Sequence, residues 1–456
     1  MPQLNTAIPQ PVVWQQAAAE QQQKLLDRPV QAVSEQLQQQ VRDIIGQVAQ
    51  QGDSALLALT KRFDGVDLSS PELPLERVAA IAAQTPTNVK AAIDQAYNNI
   101  RMFHLAQQPE DIAVETMPGV FCQQKFAPMA RVGLYIPGGS ASLPSTVLML
   151  GIPAQIANCA ERVLISPPAK AGVHAGELTP AICYAALKCG VTGVYLGGGA
   201  QAVAALALGT ESIPAVDKIF GPGNSYVTEA KQQVSQRAGG PAIDLPAGPS
   251  ELLIIADDSA EPAFVAADLL SQAEHGPDSQ VILLSPSATL VDAVRVELAT
   301  QLAALPRVEI ATQALAASAL IITADLAEAV AISETYAPEH LSVQLSDANA
   351  WLPKLTRAGS IFVGHYTPES GGDYATGTNH VLPTYGFARN YSSLGLLDFY
   401  RRYTVQEVTP RGLANLGTSI IDLAAEENLD AHLRAVSLRL DSQRFLQDIA
   451  LVEGKP

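Results

Sequence analysis

The chain has few cysteines and few positive charges for its length of 456 residues. Its four cysteines show no C-x-x-C pairing, so neither a disulfide framework nor a zinc ribbon is indicated, and we expect them to be small buried apolar side chains. Lys and Arg number 28 against 45 Asp and Glu, which gives a formal net charge of -17. Without a block of Lys and Arg to neutralise phosphates, the chain is not expected to bind nucleic acid or an anionic membrane surface.

Long apolar runs are also missing. No run is long enough to span a bilayer without polar interruption, and the N-terminus lacks a basic flank followed by an apolar core. We therefore expect a cytoplasmic protein with no membrane-spanning segment. With 48% hydrophobic residues, a chain of 456 residues is long enough for two or more domains with their own cores.

The spacing of apolar side chains changes along the chain. In about the first hundred residues they recur at helical spacing, as over 41–48, and Gly52 predicts a break between two helices. From Arg131 onward, short β-rich runs alternate with helical stretches, which is typical of βαβ units. We predict an α/β fold with two Rossmann-like (βαβ) parallel-sheet domains, helical N-terminal and C-terminal extensions, and a C-terminus that is helical from Thr418.

Two glycine-rich turns each lie between a predicted strand and a predicted helix. YLGGGAQAV (195–203) has a G-x-G-x-x-A arrangement, and IFGPGNSYVTEAK (219–231) repeats the design. Such turns let the backbone approach a pyrophosphate at a helix N-terminus, but they are also common for steric reasons. The acidic residue expected about 20 positions after the first turn would be Asp217, in a predicted loop. A dinucleotide site and a well-capped helix therefore both remain possible.

Several of the seven histidines lie near oxygen donors in the sequence. The four segments concerned contain Gln272 with His275, Glu339 with His340, Asp373 with His380, and Asp430 with His432. On a helix, Gln272 and His275 would share one face and could offer an amide oxygen and an imidazole to one ion. A single histidine is more often structural, but four such segments favour a metal or proton-transfer site. Sequence alone does not show that the four segments meet.

Seven sequence blocks resemble the signatures of the histidinol dehydrogenase family, in order and across almost the whole chain. They are GLYIPGGSASLPSTVLML, GPGNSYVTEAK, IDLPAGPSELLIIAD, LLSQAEHGPDSQ, YAPEHLSV, GGDYATGTNHVLPT and AHLRAVSLRL. The resemblance implies a zinc- and NAD-dependent enzyme that oxidises L-histidinol through L-histidinal to L-histidine, the last step of histidine biosynthesis. It implies one zinc ion per subunit, two NAD consumed per substrate, and a homodimer.

The resemblance also implies roles for individual residues. The metal ligands that it implies are Gln272, His275, Asp373 and His432. An amide oxygen, a carboxylate and two imidazoles leave room for substrate atoms, unlike a closed structural site. His340 would take the hydroxyl proton in the first oxidation, and Glu339 would activate water for the second.

Further contacts are implied for the substrate and the cofactor. Besides His340 and the metal ligands, the implied substrate contacts are Ser250, His380 and Glu427. The implied NAD contacts are Tyr135, Gln201 and Asn224. Glu427 and His432 belong to the C-terminal tail, which in this family is supplied by the other subunit, so the resemblance implies a site shared between two subunits.

We predict the following domain boundaries. A helical extension covers 1–30, and a discontinuous first α/β domain covers 31–134 and 253–394. A second Rossmann-like domain that contacts NAD covers 135–252, and a helical tail covers 395–456.

Other functions are compatible with parts of these patterns. One alternative is a related enzyme that retains the metal and cofactor sites but oxidises another polar alcohol, and Ser250, His380 and Glu427 argue against it. A zinc-dependent hydrolase would explain the metal ligands but not the glycine turns. A nucleotide-binding regulatory protein would leave Glu339 and His340 unexplained. A thiol nucleophile for the aldehyde step is not indicated, because no base or cation flanks Cys122 or Cys159 in the sequence.

Overall fold

The structure is a computed structural model that describes residues 8–29, 35–138, 143–245 and 248–453. Short stretches of two signature blocks, 139–142 and 246–247, lie outside the described residues. The chain divides into two compact units. The first unit is formed by Met1–Gln107 and Met129–Phe399, and the second by Gln108–Pro128 and Tyr400–Pro456.

A six-stranded parallel sheet forms one half of the first unit. Its strands are β1 (Pro11–Val13), β9 (Glu251–Ala256), β10 (Gln280–Ser285), β11 (Ala319–Ile322), β12 (His340–Gln344) and β13 (Ser360–Val363), in the spatial order β1-β11-β10-β9-β12-β13. Every residue of β9, β10 and β12 is buried. A strand covered on both faces has no reason to alternate polar and apolar residues, which explains the continuous apolar runs of the sequence.

A five-stranded parallel sheet forms the other half of the first unit. Its strands are β4 (Arg131–Tyr135), β5 (Glu161–Ser166), β6 (Gly193–Leu196), β7 (Lys218–Phe220) and β8 (Ala242–Ile243), in the spatial order β6-β5-β4-β7-β8. The prediction of two parallel sheets in an α/β fold is confirmed. The predicted domain boundaries stay predictions.

Helices cover the strands of the first unit. They are α1 (Ala19–Leu26), α2 (Glu35–Asp64), α3 (Leu75–Ala82), α4 (Thr87–Leu105), α5 (Pro144–Ile156), α6 (Pro180–Lys188), α7 (Gly199–Leu208), α8 (Ser225–Ser235), α9 (Pro262–Ala273), α10 (Ala288–Leu302), α11 (Val308–Ala316), α12 (Leu326–Tyr336) and α13 (Glu369–Tyr374). Short 3-10 turns occur at Trp14–Gln16, Ala348–Ala350, Leu352–Lys354, Phe387–Arg389 and Leu396–Phe399. The predicted break at Gly52 is confirmed, because this residue interrupts α2 with φ 53° and ψ -130°. Within the described residues, no helix is both long and apolar enough to cross a membrane.

The second unit combines a small sheet with helices. Strands β2 (Ile112–Met117), β3 (Val120–Pro128) and β14 (Tyr400–Val408) form a three-stranded antiparallel sheet in the order β14-β3-β2. Helices α14 (Pro410–Glu426), α15 (Asp430–Leu440) and α16 (Gln443–Glu453) follow. The tail that was predicted as helical over 395–456 also contains β14, and its helices begin at Pro410 instead of Thr418.

The N-terminal extension also differs from its prediction. Within 1–30, residues 1–7 and 30 lie outside the described residues, and the described part contains β1 as well as the helix α1. Strand β1 extends the edge of the six-stranded sheet by pairing with β11. Three residues are too short a run for any periodic pattern to reveal a strand.

The four cysteines are free thiols. Cys159, Cys183 and Cys189 are buried as predicted, whereas Cys122 in β3 is only partly buried. Burial raises the pKa of Cys159 to about 11 and that of Cys183 and Cys189 to about 12. These three thiols are therefore poorly suited to act as thiolate nucleophiles near neutral pH.

Candidate active site

A cavity of about 600 Å³ lies at the carboxyl ends of β4, β5 and β6. Its lining includes Tyr135 at the end of β4, Ser166 at the end of β5, and the turn at 198–201 that opens α7. Asn224, at the start of α8, completes the wall. The structure thus brings together Tyr135, Gln201 and Asn224, the three residues expected to contact NAD.

The hydroxyl of Tyr135 and the side-chain amide of Asn224 each keep a hydrogen-bond donor that a ligand in this cavity could use. Gly199 has φ +63° in the left-handed region, where a side chain would be strained, and its N–H donates to Tyr135 Oη at 3.2 Å. Burial raises the pKa of Tyr135 to about 12, so its hydroxyl stays protonated. Asn224 caps α8, since its Oδ1 accepts from the N–H groups of Tyr226 and Val227. The amide NH₂ of Asn224 is then left to donate to a ligand.

The acidic residue of a full dinucleotide fingerprint is not at this cavity. Asp217 precedes β7 and accepts a hydrogen bond from the N–H of Arg131, the first residue of β4, at 2.8 Å. It therefore lies at the amino ends of the parallel strands, whereas the cavity lies at their carboxyl ends. The first glycine turn has the strand-turn-helix setting of a nucleotide site, and the carboxylate beside it in the cavity wall is that of Asp64 from α2 instead of Asp217.

A second cavity of about 610 Å³ adjoins the first. Pro137 and Asn224 line both cavities, so the two spaces meet at these residues. The second cavity is bounded by the turn after β7 and by residues at the amino ends of β9 and β12. The predicted site residues that line it are Ser250, His275, Glu339, His340, Asp373 and His380.

Glu339 and His340 stand at the amino end of β12. They are 6% and 4% exposed, which excludes a surface turn as the explanation of this pair. His340 Nδ1 lies 2.9 Å from the carbonyl oxygen of Glu251, which can only accept, so Nδ1 carries the hydrogen. His340 Nε2 is then the ring atom that can take up a proton.

Carboxylates surround His340. Glu339 Oε2 lies 3.4 Å from Nδ1, and Glu369 Oε1 lies 3.9 Å from Nε2. Burial alone would lower the pKa of His340, but the charges of Glu339, Glu369 and Asp373 together raise it to about 10. The protein's own residues therefore stabilise a positive charge on this imidazole, as a general base requires once it has accepted a proton.

Metal-donor atoms meet beside this pair. His275 Nε2 lies 3.6 Å from Asp373 Oδ2. Gln272 is fully buried, and neither its Oε1 nor its Nε2 has a hydrogen-bond partner among the described residues. A buried amide without a partner costs free energy unless something else binds it. The His275 imidazole and the Asp373 carboxylate are donors that suit a divalent cation, and the unpaired amide of Gln272, which is not among the residues lining the second cavity, is a third donor of a suitable type.

The two residues of the expected helical pair, Gln272 and His275, are not on one helix. Helix α9 ends at Ala273, so His275 lies in the following turn, where its N–H donates to Gln272 O at 3.2 Å. Gly276 and Pro277 follow directly, and a Gly-Pro pair favours a turn over a continued helix. The turn still places the His275 imidazole against Asp373.

His380 occupies a fixed position in the wall of the second cavity. Its Nδ1 lies 2.9 Å from the carbonyl oxygen of Asp373, and its Nε2 lies 3.4 Å from Thr146 Oγ1. Burial lowers the pKa of His380. Glu427 and His432 belong to the second unit, where they are exposed at the end of α14 and in the first turn of α15.

Glu369 is a site residue that was not predicted from the sequence. This residue is fully buried, its Oε2 accepts from Ser271 Oγ at 2.6 Å, and its Oε1 has no hydrogen-bond partner among the described residues. The donor atoms of His340, Glu369 and Asp373 all lie within 4.8 Å of one another, and these three residues form what we call the donor cluster. The spacing of four residues between Glu369 and Asp373, in a glycine-rich segment, was the available signal.

His340 Nε2 can accept a proton, and the cavity that His340 lines adjoins a cavity large enough for a nucleotide. Oxidation of an alcohol removes a proton from oxygen and a hydride from carbon, and a nicotinamide cofactor takes the hydride. The α/β fold with this pair of adjoining cavities is therefore that of an NAD-dependent dehydrogenase.

Comparison with known proteins gives the particular family. The sequence profile of the histidinol dehydrogenase family matches residues 26–440, so the chain belongs to this family. Histidinol dehydrogenase from Idiomarina loihiensis is 60% identical over 430 residues, which cover 94% of this chain and 96% of the relative. The Colwellia psychrerythraea enzyme of that name is 57% identical over 435 residues, covering 95% and 99%.

A solved structure agrees with these relatives. The crystal structure of histidinol dehydrogenase from Elizabethkingia anophelis superposes with a TM-score of 0.90 at 44% sequence identity. The match covers 96% of this chain and 99% of that chain.

Proposed function

We propose that the chain oxidises L-histidinol through L-histidinal to L-histidine in the cytoplasm, with two NAD consumed per substrate and one zinc ion per subunit. The observation that carries this proposal is the position of His340, which forms the donor cluster together with Glu369 and Asp373 and lines a cavity that adjoins the nucleotide-sized one. The names of the relatives support the same substrate.

Gln272 Oε1, His275 Nε2 and the Asp373 carboxylate would hold the zinc ion from one subunit, and His432 would hold it from the other. When bound, zinc would grip nitrogen atoms of the substrate and so fix its orientation. Ser250, His380 and Glu427 would contact the same substrate. Tyr135, Gln201 and Asn224 would hold NAD, which accepts the hydride in each oxidation.

In the first oxidation, His340 Nε2 removes the hydroxyl proton as hydride leaves the substrate carbon. Its Nδ1 stays bonded to the Glu251 carbonyl, which keeps the ring in one orientation. The nearby carboxylates stabilise the imidazolium that forms. If Asp373 binds the zinc ion, the ion would offset part of its negative charge, and the pKa of His340 would fall toward the neutral range. The unprotonated imidazole would then be available before the reaction.

In the second oxidation, Glu339 activates the water that adds to the aldehyde. Its Oε2 is held by the N–H of Glu251 at 2.8 Å, which leaves the other carboxylate oxygen to accept the proton of water. The Nδ1–H edge of His340 lies 3.4 Å from the same Oε2 and stabilises the negative charge of the carboxylate. The adjacent residues thereby serve two different steps.

We propose that two chains form a homodimer in which the C-terminal helices of each chain complete the site of the other. Large apolar side chains support this arrangement, because Leu423, Leu429 and Leu438 of the second unit are exposed by 66%, 41% and 64%. Exposed apolar groups of this kind are expected where another protein surface packs.

The yield of NADH per L-histidinol consumed tests the proposed reaction. Two NADH per substrate, abolished by a chelator and restored by zinc, would support it. Oxidation of another polar alcohol in zinc-replete protein would point to a different substrate. Hydrolysis without NAD would point to a zinc hydrolase, and NAD binding without any turnover would point to a regulatory protein.

Replacing His275 by alanine is expected to remove zinc and activity together while the fold remains. Zinc affinity should fall by more than about 100-fold, because even the loss of a residue that only supports a ligand can cost that much. Metal content measured by elemental analysis, alongside NADH formation, checks this. His365→Ala is the control, because His365 contacts Ser259 outside the donor cluster. Full activity without bound metal would refute the assignment.

Replacing Glu339 by glutamine is expected chiefly to slow the second oxidation, by on the order of 10²- to 10⁴-fold, the usual effect of losing a general base. L-Histidinal should then accumulate, and the early NADH yield should approach one per L-histidinol. Rapid-quench analysis of both products measures the two steps separately. Glu334→Gln, which changes a carboxylate that bonds Thr356 on the surface, is the control. An equal loss in both steps would contradict this division of roles.

A further inference from the structure

A buried ion pair lies behind Glu339 and His340. Arg28, which follows α1, contacts Glu251 at the start of β9 through two hydrogen bonds, Nε to Oε1 at 2.5 Å and Nη2 to Oε2 at 2.9 Å. The two side chains are only 13% and 2% exposed. The guanidinium carbon also lies 3.8 Å from the centroid of the Tyr336 ring. The arginine is therefore fixed by a planar, two-point contact and an aromatic face.

The same guanidinium holds the chain that leads into Glu339. Arg28 Nη2 donates to the carbonyl oxygen of Tyr336 at 2.8 Å and to that of Ala337 at 3.3 Å. Ala337 ends α12 with φ 54°, in the left-handed region that residues other than glycine rarely adopt. Arg28 thus bonds the backbone at the point where it turns toward Pro338 and Glu339.

Glu251 in turn holds both side chains of the pair through its main chain. Its N–H donates to Glu339 Oε2 at 2.8 Å, and its carbonyl accepts from His340 Nδ1 at 2.9 Å. The Glu251 carboxylate also accepts the N–H of Tyr385 at 2.7 Å. One residue therefore fixes the rotamers of the proton acceptors on one side and is itself fixed by Arg28 on the other.

We propose that Arg28 is a positioning residue for Glu339 and His340, acting through Glu251 and the carbonyls of Tyr336 and Ala337. This inference rests on the proposed function, in which both side chains move protons. Stability alone does not require such a pair, because buried ion pairs can often be replaced by neutral groups of similar size without loss. Catalysis does require placement, since a displacement of about 1 Å can cost on the order of 10²-fold in rate.

The double variant Arg28→Met/Glu251→Gln tests the inference. It leaves no uncompensated buried charge, and the glutamine can still accept from Tyr385. We expect folding, zinc content and the KM for NAD to stay near those of the wild type. The kcat for L-histidinol and for L-histidinal should both fall by on the order of 10²-fold. Arg131→Met/Glu161→Gln, which removes a two-point pair at the amino ends of β4 and β5, should leave kcat unchanged.

A folded double variant with the wild-type kcat would overturn the inference. If that variant does not fold, Arg28→Lys replaces it, because lysine keeps the charge but lacks the planar fork of donors. Its kcat should fall about tenfold or more at unchanged KM for NAD. A wild-type kcat in the lysine variant would equally overturn the inference.

A measurement without turnover separates this inference from the proposed function. The ¹⁵N spectrum of the His340 ring should show hydrogen on Nδ1 in the wild type and a mixture of tautomers in the variants, because the Glu251 carbonyl is no longer fixed. An unchanged tautomer in a folded variant would overturn the positioning role. Absence of NADH from L-histidinol in the wild type would instead overturn the proposed function.

Discussion

Replacing His340 by glutamine is expected to lower kcat for L-histidinol by roughly 10²- to 10⁴-fold, the range for loss of a general base. Glutamine is similar in size and can still donate to the Glu251 carbonyl, but it cannot accept a proton at the position of Nε2. NAD binding should persist, because the residues of the first cavity lie on other elements. Single-turnover NADH formation from L-histidinol measures the affected step.

The pH dependence of the rate gives this prediction a second readout. The carboxylates raise the pKa of His340, so the ring is protonated at low pH and the free base increases as the pH rises. The wild-type kcat/KM should therefore rise with pH through the pKa of His340, which zinc-bound Asp373 would lower below about 10. In His340→Gln, this rise of kcat/KM with pH should be absent. The control is His174→Gln, at a histidine beside Glu177, which should keep both the rate and its pH profile. An unchanged rate in His340→Gln would refute the assignment of His340 as the base.

The sequence predicted the parallel sheets because burial leaves a direct mark on composition. Strands such as β9 and β10 are buried along their whole length, so they read as unbroken apolar runs. Strand β14 left no such mark, since it is mostly exposed and carries many polar residues. Its pairing with β3 brings together segments far apart in the chain, which local periodicity cannot reveal.

The site was only partly predictable for a related reason. The glycine turns identified the nucleotide-sized cavity because ligands of parallel sheets bind at the carboxyl ends of strands. Glu339 and His340 instead lie at the amino end of β12, where that rule gives no guidance. Glu369 and Arg28 acquire their roles only through contacts with Ser271 and Glu251, which are 98 and 223 residues away in sequence. No pattern within one segment encodes such pairs.

Mixing two inactive variants is expected to restore activity if the site is shared between subunits. His340→Gln disables the base, and His432→Ala disables the tail, so each homodimer should have no intact site. In a mixed dimer, the first unit of the His432→Ala chain would meet the unaltered tail of the His340→Gln chain. One of the two sites would then be complete, and random exchange of subunits should give about a quarter of the wild-type activity.

The recovered activity must appear only after the subunits exchange. The variants are therefore unfolded together, refolded with zinc and assayed for NADH formation from L-histidinol, with each variant refolded alone as the control. A pair of tail variants, His432→Ala with Glu427→Gln, provides the matched comparison. Those two should recover little, because every site formed from them has an altered tail whichever chains combine. Recovery equal to that of the first pair, or none in either, would contradict a site built from the first unit of one chain and the tail of the other.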